Sequence, residues 1–166
     1  MVCCESSFFC GYCSQPFCKC QEEKVPSYGA VLFPSFGPAV TLCKEMKKGN
    51  LPGLVKLIAS FLVFRADQLS FPIPDRIVRV PSLEKAAFPY DKELAFELSH
   101  FYEKRVILPI GVKKKVFFEP NWKVKKKKVE GKNLFFCVNT KREILIISKL
   151  LESLHPKAMF GISLQD

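Results

Sequence analysis

Leu134-Phe135-Phe136-Cys137-Val138 is the stretch that decides how this chain folds. Successive side chains of a strand point to opposite faces, so five apolar residues in a row would leave half of them in water unless both faces are covered. Such a run reads as a central parallel strand buried between layers of helices. Its surroundings agree. Gly131 marks a turn ahead of it, and after it the apolar period changes, with Ile147, Leu150, Leu151 and Leu154 recurring on one face of a helix predicted over 142–154. Ala158 to Leu164 reads as another strand. Strand, helix, strand in that order is a βαβ unit, because parallel neighbours need a crossover between them.

Towards the N-terminus the alternation continues. Val106-Ile107-Leu108 reads as a strand. The helix before it, over 91–102, directs Leu94, Ala95, Leu98 and Phe101 inward with Asp91 as its N-cap. Pro72 and Pro74 lead, through a turn at Asp75, into the strand Arg76-Ile77-Val78-Arg79-Val80, which Pro81 closes. A helix beginning after Pro52 places Leu54, Leu57, Ile58, Phe61 and Leu62 on one face; another runs from Ala39 to Gly49-Asn50, and Tyr28 to Phe33 is a strand. A chain of 166 residues suffices for one domain with a genuine core and an appendage. The prediction is an α/β domain over 27–166, a parallel sheet with flanking helices, preceded by a Cys-rich knuckle over 1–26.

Charge is unevenly spread. Lys and Arg number 26 against 16 Asp and Glu, a formal net charge of +10, which points to a polyanionic partner or an anionic surface. Half of the positive charge lies between Lys104 and Arg142, where Glu119 and Glu130 are the only acids. Lys113, Lys114, Lys115, Lys123, Lys125, Lys126, Lys127 and Lys128 are interleaved with Phe117, Phe118 and Trp122, a stretch that reads as a hairpin or a flap. Lysines that neutralise phosphates beside aromatics that stack on bases suit single-stranded nucleic acid. The alternative is a solvated basic hairpin whose aromatics turn into the core. The most apolar segment, Leu54 to Phe64, is broken by Lys56 and too short to span a bilayer, and Met1 to Ser7 lacks the basic and apolar regions of a signal peptide, so the expectation is a cytoplasmic protein without a membrane span.

Six of the eight cysteines, Cys3, Cys4, Cys10, Cys13, Cys18 and Cys20, fall in the first twenty residues. In a reducing compartment such clustering points to metal rather than to disulfides. Cys10-x-x-Cys13 aims two thiolates at one tetrahedral ion, and Cys18-x-Cys20 supplies the other pair of a structural zinc site; Cys3 or Cys4 can stand in for one of these, and reduced thiols in a loose tail are the alternative. Cys43 and Cys137 read as core residues.

Taken in order, these parts resemble the ComF family of competence-associated proteins. The resemblance is carried by the cysteine cluster, by Phe36-Gly37-Pro38 leading to Leu42-Cys43-Lys44-Glu45-Met46-Lys47-Lys48-Gly49, by Ile77-Val78-Arg79-Val80-Pro81, and by Gly131-Lys132-Asn133 with the strand that follows. It implies a zinc-ribbon-like N-terminus joined to a type I phosphoribosyltransferase-like domain, and a role in handling incoming single-stranded DNA beside a DNA-uptake helicase. In that family the core strand runs into two acidic residues and a Gly-containing loop that cradles the 5-phosphate of phosphoribosyl pyrophosphate. Here Val138-Asn139 replaces the acids and Thr140-Lys141-Arg142-Glu143 follows without glycine, while Ala86-Ala87-Phe88-Pro89-Tyr90 keeps only the Phe of a second family segment. The chain therefore reads as a non-catalytic or weakly catalytic ComF-like protein that binds single-stranded DNA or another polyanion beside a DNA-uptake or recombination helicase, with phosphoribosyl pyrophosphate not its expected ligand. Asn139, Thr140, Lys141 and Arg142 are the remnant of the phosphate loop, a helix start that still favours anions or else a plain surface turn. A phosphoribosyltransferase of nucleobase salvage with an atypical loop is the rival, and a protein-docking module a third reading.

Overall fold

The computed structural model of this protein describes residues 8–16, 19, 24–33, 36–51, 53–81, 88–107 and 125–165. These form strands β1 (Phe9–Cys10), β2 (Ser27–Phe33), β3 (Arg76–Val78), β4 (Val106–Ile107), β5 (Asn133–Thr140) and β6 (Ala158–Gln165). The helices are α1 (Pro38–Lys48), α2 (Gly53–Gln68), α3 (Tyr90–Tyr102) and α4 (Lys141–Glu152), with a 3₁₀ turn at Lys126–Lys128. One sheet holds all six strands in the order β1-β2-β6-β5-β3-β4. Every pairing is parallel except that of β1, which lies antiparallel on β2 at the edge. The chain is thus α/β, with a mostly parallel sheet flanked by helices.

The deciding strand does what its composition requires. Leu134, Phe136 and Val138 enter the core beneath α4, while Phe135 enters the opposite core beneath α1, α2 and α3. Phe135 and Phe136 are both fully buried, each contributing about 2–3 kcal/mol of apolar transfer free energy. Gly161 of β6 is the register partner of Phe136, and a Cβ there would sit 2.6 Å from the Phe136 ring; the glycine leaves the space the ring fills. α1 opens with Pro38 at its first position and closes on Gly49 in the left-handed region (φ 76°), with Lys47 and Lys48 complementing its C-terminal dipole.

One helical face and one inward-facing assignment read from the sequence need correction. Leu57 and Phe61 on α2 are 44% and 39% exposed, and Phe101 on α3 is 45% exposed. α2 carries apolar residues around most of its circumference, so its sequence does not say which side meets the sheet. The side that does is the stripe of Leu54, Val55, Ile58, Ala59, Leu62 and Ala66; Phe61 sits at its border, edge-on to Phe33 at 5.9 Å between centroids. Nor is Asp91 the N-cap: the cap is Pro89, and Asp91 lies in the first turn of α3. Asp75 is the turn residue its position suggested, its carboxylate accepting the Asn133 N–H at 2.8 Å.

Phe9 and Cys10, from the Cys-rich start, belong to the same sheet as the rest. Phe9 belongs to the core cluster under α4 that also holds Ile144 and Met159. Among the described residues no helix is long and apolar enough to cross a membrane.

Candidate functional site

From β3 the chain steps outward through α3 to β4, then returns to lay β5 on the other side of β3. The strand order reverses there, so the connections leaving β3 and β5 diverge and open a crevice at their carboxyl ends. Open parallel sheets bind ligands at such a point. The crevice measures about 400 Å³ including its open mouth, and its polar wall is made by Arg79, Tyr90, Asp91, Cys137, Asn139 and Glu143.

These groups satisfy one another. The Arg79 Nε donates to Asp91 Oδ2 at 2.8 Å, tying the end of β3 to the first turn of α3. The Tyr90 hydroxyl donates to Asn139 Oδ1 at 2.7 Å in a buried contact between α3 and β5. Glu143 reaches back along α4 so that its Oε2 accepts the backbone N–H of Asn139 at 2.7 Å and of Thr140 at 3.3 Å. With the Thr140 side chain accepting from the Glu143 backbone, this is a capping box. The helix terminus that would attract an anion already holds a carboxylate of its own. Cys137 adds no nucleophile: burial, and to a lesser degree Cys43 and Glu143 nearby, raise its thiol pKa and keep it protonated.

Asn139 to Arg142, read from the sequence as the remnant of a phosphate loop, line or adjoin the crevice, but most of them are used internally. Asn139 is buried; Thr140 caps the helix; the Lys141 ammonium lies 4.5 Å from the centre of the Phe9 ring; Arg142 is exposed. Lys125, Lys126, Lys127 and Lys128 lie elsewhere. They precede the first residue of β5, exposed on a 3₁₀ turn anchored by buried Val129, with Lys126 3.7 Å from Glu130. β5 has eight residues. At about 3.3 Å per residue, roughly 25 Å of strand separates the two groups. Lys113, Lys114, Lys115, Trp122 and Lys123 lie outside the described residues.

Cys10 and Cys13 occupy a tight turn in which Ser14, in the left-handed region (φ 61°), donates to the Cys10 carbonyl at 3.0 Å and Cys10 donates to Gln15 O at 2.9 Å. The Tyr12 N–H points at the Cys10 sulfur at 3.4 Å. Cys10 is buried in the core under α4 and Cys13 is half-buried against it. Cys18 and Cys20 lie outside the described residues, and among the described ones no three His, Cys, Asp or Glu side chains form a metal cluster.

Some features of the crevice escaped the sequence reading. Thr140-x-x-Glu143 carries the capping-box spacing, so Glu143 was findable. Arg79 with Asp91 and Tyr90 with Asn139 had no signal, because each pair is assembled by the fold. No protein-family model, no curated protein and no solved structure matches the chain.

Proposed function

We propose that the chain is a ComF-like, non-catalytic protein with a phosphoribosyltransferase-like fold that binds single-stranded DNA in DNA uptake or recombination, beside a helicase. One observation carries the non-catalytic half: β5 ends at Thr140 and α4 begins at Lys141, with no loop between them. A phosphate cradle needs several free backbone N–H groups converging on the anion. Here the Glu143 carboxylate takes those of Asn139 and Thr140, and a phosphate entering would meet like charge. The parallel strand order and its crevice support the fold assignment. The DNA half rests on the exposed Lys125–Lys128 run in a chain of net charge +10. Cys10 and Cys13 would hold a structural zinc together with Cys18 and Cys20, a closed site that steadies the N-terminal turn.

Fluorescence anisotropy of labelled single-stranded DNA across a salt series tests this. Binding should weaken steeply with salt, and changing Lys125–Lys128 together to Ala should flatten the slope by up to about 3, at roughly 0.7 for each phosphate no longer neutralised. Absent binding, or binding indifferent to salt, sinks the proposal. The crevice at the reversal of strand order favours a second reading, phosphoribosyl transfer in nucleobase salvage; saturable phosphoribosyl pyrophosphate binding by calorimetry, abolished by Lys141→Ala and Arg142→Ala, would support that one instead.

A further inference from the structure

We infer that single-stranded nucleic acid runs across the amino-end face of the sheet, away from the crevice, along a row of cations contributed one by each of four adjacent strands. The inference rests on the DNA-binding reading above and gives it a surface. Arg105 immediately precedes β4, Arg76 opens β3, Lys132 precedes β5 and Lys157 precedes β6. In the sheet these strands lie side by side as β4-β3-β5-β6. The register sets the entries in two level pairs, Arg105 beside Arg76 and Lys132 beside Lys157. Arg76 lies opposite Leu134, so the second pair stands two residues, roughly 7 Å, further out along the strands. Ile77 N–H to Arg105 O at 3.3 Å, Asp75 N–H to Asn133 O at 2.9 Å and Lys157 N–H to Lys132 O at 2.9 Å tie the entries together. At about 4.8 Å between strands the row is roughly 14 Å long, a span of two to three phosphates in an extended strand. Arg105, Lys132 and Lys157 are exposed, and Arg76 is half-buried. The Lys125–Lys128 run lies just ahead of Lys132 and extends the same face.

Opposing charge on this face is partly engaged: besides Asp75 and Glu130 it includes Asp67 and Glu103, both exposed, and half-buried Glu152. The Asp75 carboxylate accepts the Asn133 N–H and Glu130 faces Lys126. α2, α3 and α4 end on this face, and their C-terminal dipoles together amount to about one and a half negative charges; Lys104, the four cations of the row and the Lys125–Lys128 run still outnumber the carboxylates and dipoles together. Phe101, 45% exposed in the last turn of α3, comes four residues ahead of Arg105 at the same end of the sheet. An exposed aromatic flanking a line of cations is what base stacking beside a phosphate track requires, and it favours a nucleic acid over an acidic protein or an anionic bilayer. The crevice opens at the other end of the strands, so a ligand there leaves the track free.

The test compares labelled oligothymidylate with phosphatidylserine vesicles on the full chain. The variants are the triple Arg105→Ser, Lys132→Ser, Lys157→Ser; a charge-matched triple of exposed helix lysines, Lys44→Ser, Lys56→Ser, Lys92→Ser; and Phe101→Ala, each checked for fold by circular dichroism. The row triple should weaken oligothymidylate binding by about tenfold or more and lower the salt slope by about 2, with the matched triple changing it far less. Phe101→Ala should cost about fivefold or more at an unchanged slope and leave vesicle binding as it was. If the two triples weaken binding equally, or if only Lys125–Lys128→Ala does so, the track is not on this row although DNA binding stands. Equal loss on vesicles with indifference to Phe101→Ala would make the face a membrane surface and overturn the inference. No binding by the unaltered chain overturns the DNA-binding reading itself.

Discussion

Tyr102, in the last turn of α3, lies against Phe135 with ring centroids 5.8 Å apart. Burial, reinforced by Asp67, pushes its phenol up to about 12. Burial likewise raises the thiol pKa of Cys43, against a smaller opposing effect of Lys47, and raises that of Cys137. In each case the folded-state pKa lies above the unfolded one, so the folded chain binds more protons through the titration range and stability falls as pH rises. The part due to Tyr102 is fully present below about pH 10 and is lost as pH climbs through about 12; the thiols begin the decline near 9. Urea midpoints should therefore hold steady around neutrality and drop above pH 9, and Tyr102→Phe should flatten the drop above pH 10 while leaving the midpoint at pH 7 nearly unchanged. A variant that falls as steeply as the parent would show that Tyr102 does not titrate in this way. Cys43 was legible as a core residue from its apolar surroundings; Cys137, read the same way, packs against the core but is half-buried and lines the crevice. The proton affinity of Tyr102 was not legible, since it follows from packing against β5, more than thirty positions along the chain.

α4 shows most directly how an element sets the chemistry of the crevice. Its amphipathic period was readable, and so in principle was the Thr140-x-x-Glu143 box, because both depend on residues within one or two turns. If the Glu143 carboxylate is what keeps anions away, Glu143→Gln should retain an acceptor for the Asn139 and Thr140 N–H groups while removing the charge. Thermal melts should show a loss of no more than about 1 kcal/mol in buffer without phosphate. Added phosphate should then raise the midpoint of the variant and not that of the parent; stabilisation of both alike would mean that the capping carboxylate guards nothing. α2 marks the opposite limit. With apolar residues almost all round, nothing local distinguishes Ile58, which is buried, from Leu57, which is 44% exposed. The sheet and α3 made that choice.

For the whole molecule, β1 couples the Cys-rich start to the sheet. Phe9 pairs with Gly29 and Cys10 with Tyr28, Lys141 of α4 lies over the Phe9 ring, and the Tyr12 hydroxyl donates to Val25 O at 2.8 Å. A zinc ion held by the Cys10–Cys13 turn would therefore stabilise the domain as well as its own loop. Metal analysis should give one zinc per chain. Chelation should lower the melting midpoint by several degrees and shift the whole transition, and Cys13→Ser should reproduce both effects; a full complement of zinc in Cys13→Ser would remove these cysteines from the site.

From the sequence by itself came the class of the fold, the central place of Leu134 to Val138, the succession of strands and helices, and the density of positive charge. These follow from hydrophobic period, from prolines and glycines that break it, and from composition, all properties of short stretches of chain. The tertiary structure alone decided the strand order, and with it the crevice where β3 and β5 part. It decided that Tyr90 meets Asn139 across 49 positions, and that Asn139 to Arg142 and the described lysines stand at opposite ends of one strand. The physical reason is that these depend on which distant surfaces bury each other, and no local pattern records that choice.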